Sequence, residues 1–177
     1  MKRVLAVLVP YSEEWPSRFA AVRAQLLQAF EPQRVGVEHI GSTAVPGLAA
    51  KPIVDVLLGS MALQGIEERI EVLAGLGFEY VRKYEQELPM RRYFVRPAGD
   101  ASPRVNLHAV VLGSTFWTEH LAFRDALRQD PSLVARYQQL KTTLAKEFEQ
   151  DRPSYTQAKA PFIEAVVASF CATRVSP

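Results

Sequence analysis

The stretch His39-Ile40-Gly41-Ser42-Thr43-Ala44-Val45-Pro46-Gly47-Leu48-Ala49-Ala50-Lys51-Pro52-Ile53-Val54-Asp55-Val56 carries most of the information in this chain. Arg34 to Ile40 reads as a strand that delivers the backbone to Gly41-Ser42. A turn punctuated by Gly and Pro then runs to Lys51. Pro52 to Gly59 is apolar apart from Asp55, the pattern of a strand buried on both faces in the middle of a sheet. The small residues Gly41 and Ser42 let backbone N–H groups approach a ligand closely. The hydroxyls of Ser42 and Thr43 add donors, and Lys51 adds a positive charge, a combination suited to phosphate. Asp55 is costly inside an apolar strand unless a metal, a cation or several donors satisfy it. Two readings stand at this point: a ligand site, or a tight turn whose Asp55 is satisfied by backbone amides or an Arg.

Working outward, Glu13 to Phe30 has helical periodicity, with Trp15, Phe19, Val22, Leu26 and Phe30 at steps of three and four and Ser12 placed to cap it. Val4 to Val9 reads as a first strand, because its apolar run is too short for a signal peptide and no cleavage site follows. Leu63 to Leu76 predicts a helix closed by Gly77. Phe78 to Lys83, Arg91 to Arg96 and Arg104 to Leu112 predict further strands. Beyond Gly113 the pattern turns wholly helical: Thr115 to Gln129, Ser132 to Glu149 and Pro153 to Thr173. The last is expected to start on a Ser154-Tyr155-Thr156-Gln157 capping box and to kink or restart at Pro161. The expected architecture is α+β, one domain over residues 1–177, with a mixed sheet flanked by helices and a helical C-terminal third.

Composition narrows the function classes. The chain has 177 residues, 48% hydrophobic and 23% charged, and its 21 basic and 19 acidic side chains leave +2. That balance argues against a protein that coats nucleic acid polymers. No apolar run approaches the roughly 20 residues needed to span a bilayer. The lone Cys171 fits a reducing compartment, so a cytoplasmic setting without membrane partners is expected. Between Arg82 and Arg104 lie six basic residues against three acids, including the consecutive pair Arg91-Arg92, one of which can reach a pocket. The same charges equally suit an edge strand kept soluble. Arg124 and Arg128, Tyr137 and Lys141, and Tyr155 and Lys159 each share a helix face, either toward the site or as amphipathic surface.

The His39 to Asp55 run closely resembles the signature of the GrpB-like family of the nucleotidyltransferase-fold superfamily. Pro10-Tyr11 with Trp15, Arg91-Arg92-Tyr93-Phe94, Asn106-Leu107-His108, Leu121-Ala122-Phe123-Arg124-Asp125, Tyr137 with Leu140-Lys141, and Asp151-Arg152 with Tyr155 and Lys159 extend the resemblance over about residues 8 to 170. It implies a Gly-Ser turn that cradles a nucleotide phosphate and strand carboxylates that hold a divalent metal, Mg²⁺ or a transition metal. Gly41 and Ser42 match the turn, and Asp55 matches the first acidic position. The superfamily's second acid, two residues later, is Leu57 here, and the nearest candidate for a third is His108.

The implied site has Asp55 and His108 as catalytic residues and Asp55, His108 and His39 as metal ligands. Gly41, Ser42, Thr43, Lys51, Arg92, Arg124, Tyr155 and Lys159 would contact ligand. One Asp with one or two His is a poor Mg²⁺ cage. Either His equally suits a hydrogen-bonded structural role. Glu38 alternates with Ile40, away from Val37 and His39. The implied function is binding of a nucleotide or other phosphorylated small molecule, with nucleotidyl transfer to a small acceptor if the site is active. The alternative is a non-catalytic ligand-binding or folding-accessory module related to domains attached to dephospho-coenzyme A kinases.

Overall fold

The computed structural model describes residues 8–99, 102–148 and 151–175. Five strands form one mixed sheet: β1 (Gly36–Ile40), β2 (Ile53–Ser60), β3 (Glu79–Tyr80), β4 (Arg91–Arg96) and β5 (Arg104–Val111). Their order is β1-β2-β5-β4-β3, with β2 and β5 parallel and the other neighbours antiparallel. The helices are α1 (Glu14–Phe30), α2 (Leu63–Glu67), α3 (Ile70–Gly75), α4 (Thr115–Gln129), α5 (Pro131–Glu147), α6 (Arg152–Ala158) and α7 (Ala160–Val175). The α+β architecture expected from the sequence is the one found.

Strand alternation divides the core between the two faces of the sheet. Val54, Val56 and Leu58 of β2 pack with Val105, Leu107 and Ala109 of β5 against Val22, Leu26 and Phe30 of α1. On the opposite face Ile40, Leu57 and Val110 meet Phe116, Trp117 and Leu121 of α4. A third cluster joins Val45 and Leu48 of the β1–β2 connection to Leu127 and Tyr137, with Phe162 packed alongside. The turn after β1 is thereby fixed to three C-terminal helices.

Local chemistry explains the differences from expectation. The helix expected over Leu63–Leu76 is two short helices that break between Glu67 and Ile70. The Phe78–Lys83 strand shrinks to Glu79–Tyr80 before a 3₁₀ turn at Arg82–Tyr84. The last helical stretch does not start at its capping box. Asp151 caps it one turn earlier, accepting from Ser154 N at 3.1 Å, and the helix restarts at Ala160, just before Pro161. Ser12 does accept from Glu14 N, at 3.3 Å. The Val4–Val9 strand falls largely outside the described residues; within them, Val9 bridges Ala50. Among the described residues no helix is long and apolar enough to cross a membrane.

Candidate functional site

The turn after β1 is built around the Asp55 carboxylate. Ile40 and Asp55 pair across β1 and β2. Gly41 then turns with φ +73°, and a Cβ there would lie 2.5 Å from Asp55 Oδ2. Only glycine gives both the left-handed backbone and the space. Ser42–Ala44 follow as a 3₁₀ turn. Thr43 Oγ1 donates to the Ile53 carbonyl at 3.0 Å and so accepts from His39 Nε2 at 3.0 Å, which closes the turn onto β2.

Asp55 Oδ1 accepts from Asn106 Nδ2 at 2.8 Å, and Asn106 Oδ1 accepts from Arg104 Nε at 3.1 Å. An Arg can only donate and a carboxylate only accept, so this chain fixes the amide's orientation. Asn106 pairs directly with Asp55 across the parallel strands, whereas His108 pairs with Leu57. The position directly facing Asp55 therefore holds an amide, and His108 stands two residues farther along β5, opposite Leu57.

Asp55 opens onto a cavity of about 180 Å³ beside the turn. Ser42, Thr43 and Lys51 line it from the β1–β2 connection, Asn106 from β5, Lys141 from α5, and Tyr155 with Lys159 from α6 and its end. Lys141 is buried at 3% exposure, and its Nζ donates to the Ala49 carbonyl at 2.5 Å and to Ser42 Oγ at 3.3 Å. Loss of hydration, with repulsion from Lys159, pulls its pKa down to about 8. The ammonium groups of Lys51 and Lys159 stand 5.7 and 4.5 Å from the Tyr155 ring centroid. Three lysines from three parts of the chain thus face one carboxylate.

Of the residues the sequence singled out, Gly41, Ser42, Thr43, Lys51, Asp55, Tyr155 and Lys159 come together here, His108 stands beside Asp55 without lining the cavity, and His39, Arg92 and Arg124 lie elsewhere. His39 lies on the far face of the sheet, paired with Val56 and stacked on Phe19 at 4.7 Å. Burial and the nearby Arg128 lower its pKa to about 4, and its Nε2 is committed to Thr43, where it holds the turn. His108 Nε2 is 3.9 Å from Asp55 Oδ1, but its Nδ1 receives Arg91 Nη1 at 3.1 Å and has no lone pair left for a metal. Arg92, on the opposite face, binds Glu67 at 2.7 Å. Arg124 binds Glu38 Oε2 at 2.6 Å, Asp125 at 2.8 Å and the His39 carbonyl at 3.1 Å. One turn on, Arg128 donates to the Ala44 carbonyl at 2.8 Å. These arginines clamp the turn from behind. Glu38 does share the face of Asp55, as alternation requires, but Arg124 occupies it.

Asn106 was missed as a site residue, and Lys141 was placed only on a helix face that suited either the site or an amphipathic surface. A lysine one turn beyond Tyr137 reads as a solvated helix face, and only the packing of α5 buries it. Asn106 could be found only from the register of two strands far apart in sequence.

The donor set does not fit a two-metal centre. Among the described residues Asp55 is the one carboxylate lining the cavity, its Oδ1 accepts from Asn106, its Oδ2 is crowded by Gly41, and Leu57 fills the next position on its face. Among the described residues no three His, Cys, Asp or Glu side chains are grouped to hold an ion.

The sequence matches the family model for GrpB protein across residues 6–169. The chain belongs to the GrpB family. It is 33% identical over 168 residues to a UPF0157 protein of Pseudomonas aeruginosa, spanning 94% of this chain and 69% of that one. A dephospho-CoA kinase of Mycolicibacterium paratuberculosis is 27% identical over 176 residues, 88% of this chain but 43% of the kinase. The crystal structure of GrpB from Enterococcus faecalis superposes with a TM-score of 0.82 at 29% identity, covering 96% of this chain and 100% of that one. The Cid1 poly(U) polymerase bound to Mg and 3'-dATP superposes with a TM-score of 0.55 at 14% identity, over 77% of this chain and 43% of the polymerase. This GrpB chain therefore has a nucleotidyltransferase-like fold, and the likeness to the polymerase extends to fold alone.

Proposed function

We propose that this GrpB-family protein binds the phosphate end of a nucleotide or another phosphorylated small molecule in the cavity beside Ser42. The observation that carries this is the convergence of Lys51, Lys141 and Lys159 on one cavity where, among the described residues, Asp55 is the single carboxylate. Burying the Lys141 ammonium is unfavourable in the empty protein, and an anion offsets that cost. Ser42 accepts from Lys141 and keeps its own hydroxyl hydrogen to donate. The cavity is smaller than the roughly 300–1,000 Å³ of a site that encloses a drug-sized ligand. It suits a phosphoryl group, with the rest of the ligand outside. A net charge of +2 over the chain favours a small ligand over a polymer.

Nucleotidyl transfer is a second reading, supported by the fold and by Asp55 beside a Gly-Ser turn, and it would have to proceed with one carboxylate. The mycobacterial relative, a dephospho-CoA kinase, makes coenzyme A metabolites useful trial ligands. The test is titration calorimetry of phosphate, nucleotides and coenzyme A metabolites into the parent protein, Lys141→Met and Lys159→Met. Binding weakened about tenfold or more in each variant is expected. No binding at millimolar ligand, or binding indifferent to both substitutions, would refute the proposal. Release of pyrophosphate from a triphosphate would establish the second reading.

A further inference from the structure

Resting on that phosphate-binding reading, we infer that the cavity takes a metal-free phosphate group, such as a phosphomonoester, and discriminates against polyphosphates complexed with Mg²⁺. The protein's own ammonium groups take the part that a divalent cation plays in the nucleotidyltransferase fold.

Three features of the site lead there. Charge comes first: among the described residues lining the cavity, three are lysines, Lys51, Lys141 and Lys159, and one is a carboxylate, Asp55. A divalent cation entering with its phosphate would meet three like charges and one opposite one, whereas a bare phosphate dianion meets the reverse. Second, one oxygen of Asp55 is hydrogen-bonded and the other is crowded by the Gly41 backbone. Oδ1 accepts from Asn106, which Arg104 orients, and Oδ2 lies against Gly41 so closely that a Cβ there would sit 2.5 Å away. A Mg²⁺ ion needs near-octahedral oxygen ligands at about 2.0–2.1 Å and gives up its waters reluctantly. Third, the cavity of about 180 Å³ has little room for both a hydrated ion and a phosphoryl group. The Lys141 side chain also belongs to this structure for a mechanical reason: its bonds to Ser42 and Ala49 hold both ends of the β1–β2 connection while leaving the ammonium at the cavity.

Asp55 then acts with the opposite sign from a metal ligand. Its carboxylate repels the bound phosphate and limits affinity, so its isosteric neutralisation should tighten binding. Asn at this position keeps an oxygen to accept from Asn106, which protects the fold.

The experiment titrates inorganic phosphate and pyrophosphate into the full chain by calorimetry, with chelator and with excess Mg²⁺, in the parent and in Asp55→Asn. Phosphate affinity should be the same within about twofold with and without Mg²⁺, and pyrophosphate affinity should fall when Mg²⁺ sequesters it. Asp55→Asn should tighten both about threefold or more. Binding that requires or is strengthened by Mg²⁺, or that is lost in Asp55→Asn, overturns the inference while leaving the phosphate pocket standing. Binding of neither probe under any condition overturns both. Circular dichroism of Asp55→Asn separates loss of binding from loss of fold; an unfolded variant leaves the Mg²⁺ comparison in the parent to decide.

Discussion

At the scale of single residues, the unusual one is Lys141. Its folded-state pKa of about 8 lies below its ordinary value of 10.5. Below pH 8 both folded and unfolded chains carry the charge, and the empty protein bears the full cost of burying it, about 3 kcal/mol. Between pH 8 and 10.5 the unfolded chain holds the extra proton, so this group's contribution to stability improves as pH rises. Phosphate binding runs the other way, because the anion needs the charged form. A phosphomonoester is already dianionic above its second pKa of about 6, so Lys141 dominates the dependence. Its Kd is expected to weaken roughly tenfold from pH 7 to 9.5, measured by calorimetry. Lys141→Met should bind weakly at both pH values and lose that slope. A slope that survives the substitution would assign the titration to another group.

At the scale of elements, the site depends on how α4 lies on the sheet. Gly36 and Gly59 pair across β1 and β2, and Trp117 of α4 packs over both. A Cβ on Gly59 would come 2.6 Å from Leu112 Cδ1 and 2.7 Å from Trp117 Cζ3. The paired glycines thus form a flat seat for the indole. From that seated helix Arg124 and Arg128 reach the end of β1 and the turn behind Ser42. Gly59→Ala is expected to cost about 1–3 kcal/mol by lifting α4, read as a lower melting temperature, and to weaken phosphate binding through the displaced arginines. An unchanged melting temperature would mean that α4 tolerates the shift.

Elements were also where the sequence was most legible. The apolar runs flanking Gly41-Ser42 and the helical periods of Glu13–Phe30 and the C-terminal third carry their own punctuation, so their existence could be read locally. Lateral placement could not. That β2 lies between β1 and β5 sets Asn106 rather than His108 opposite Asp55, and no local pattern encodes it. The expectation for Arg92 failed similarly: consecutive strand residues point to opposite faces, and only the assembled sheet decides which face has the cavity.

At the scale of the whole molecule, the small positive excess of the composition concentrates where it can act. The basic stretch from Arg82 to Arg104 is largely spent on internal contacts: Arg91 with His108, Arg92 with Glu67, Arg96 with Gln25 and Arg104 with Asn106. The cavity draws its charge instead from Lys51 and from the C-terminal helices, which explains why the helical third belongs to the functional unit. The measurement that tests this most directly is a crystal structure of the full chain soaked with a thiophosphate monoester, its sulfur located by anomalous scattering. The thiophosphate is expected beside Ser42, among Lys51, Lys141 and Lys159. A thiophosphate bound elsewhere, with that cavity holding only water at saturating ligand, would contradict it.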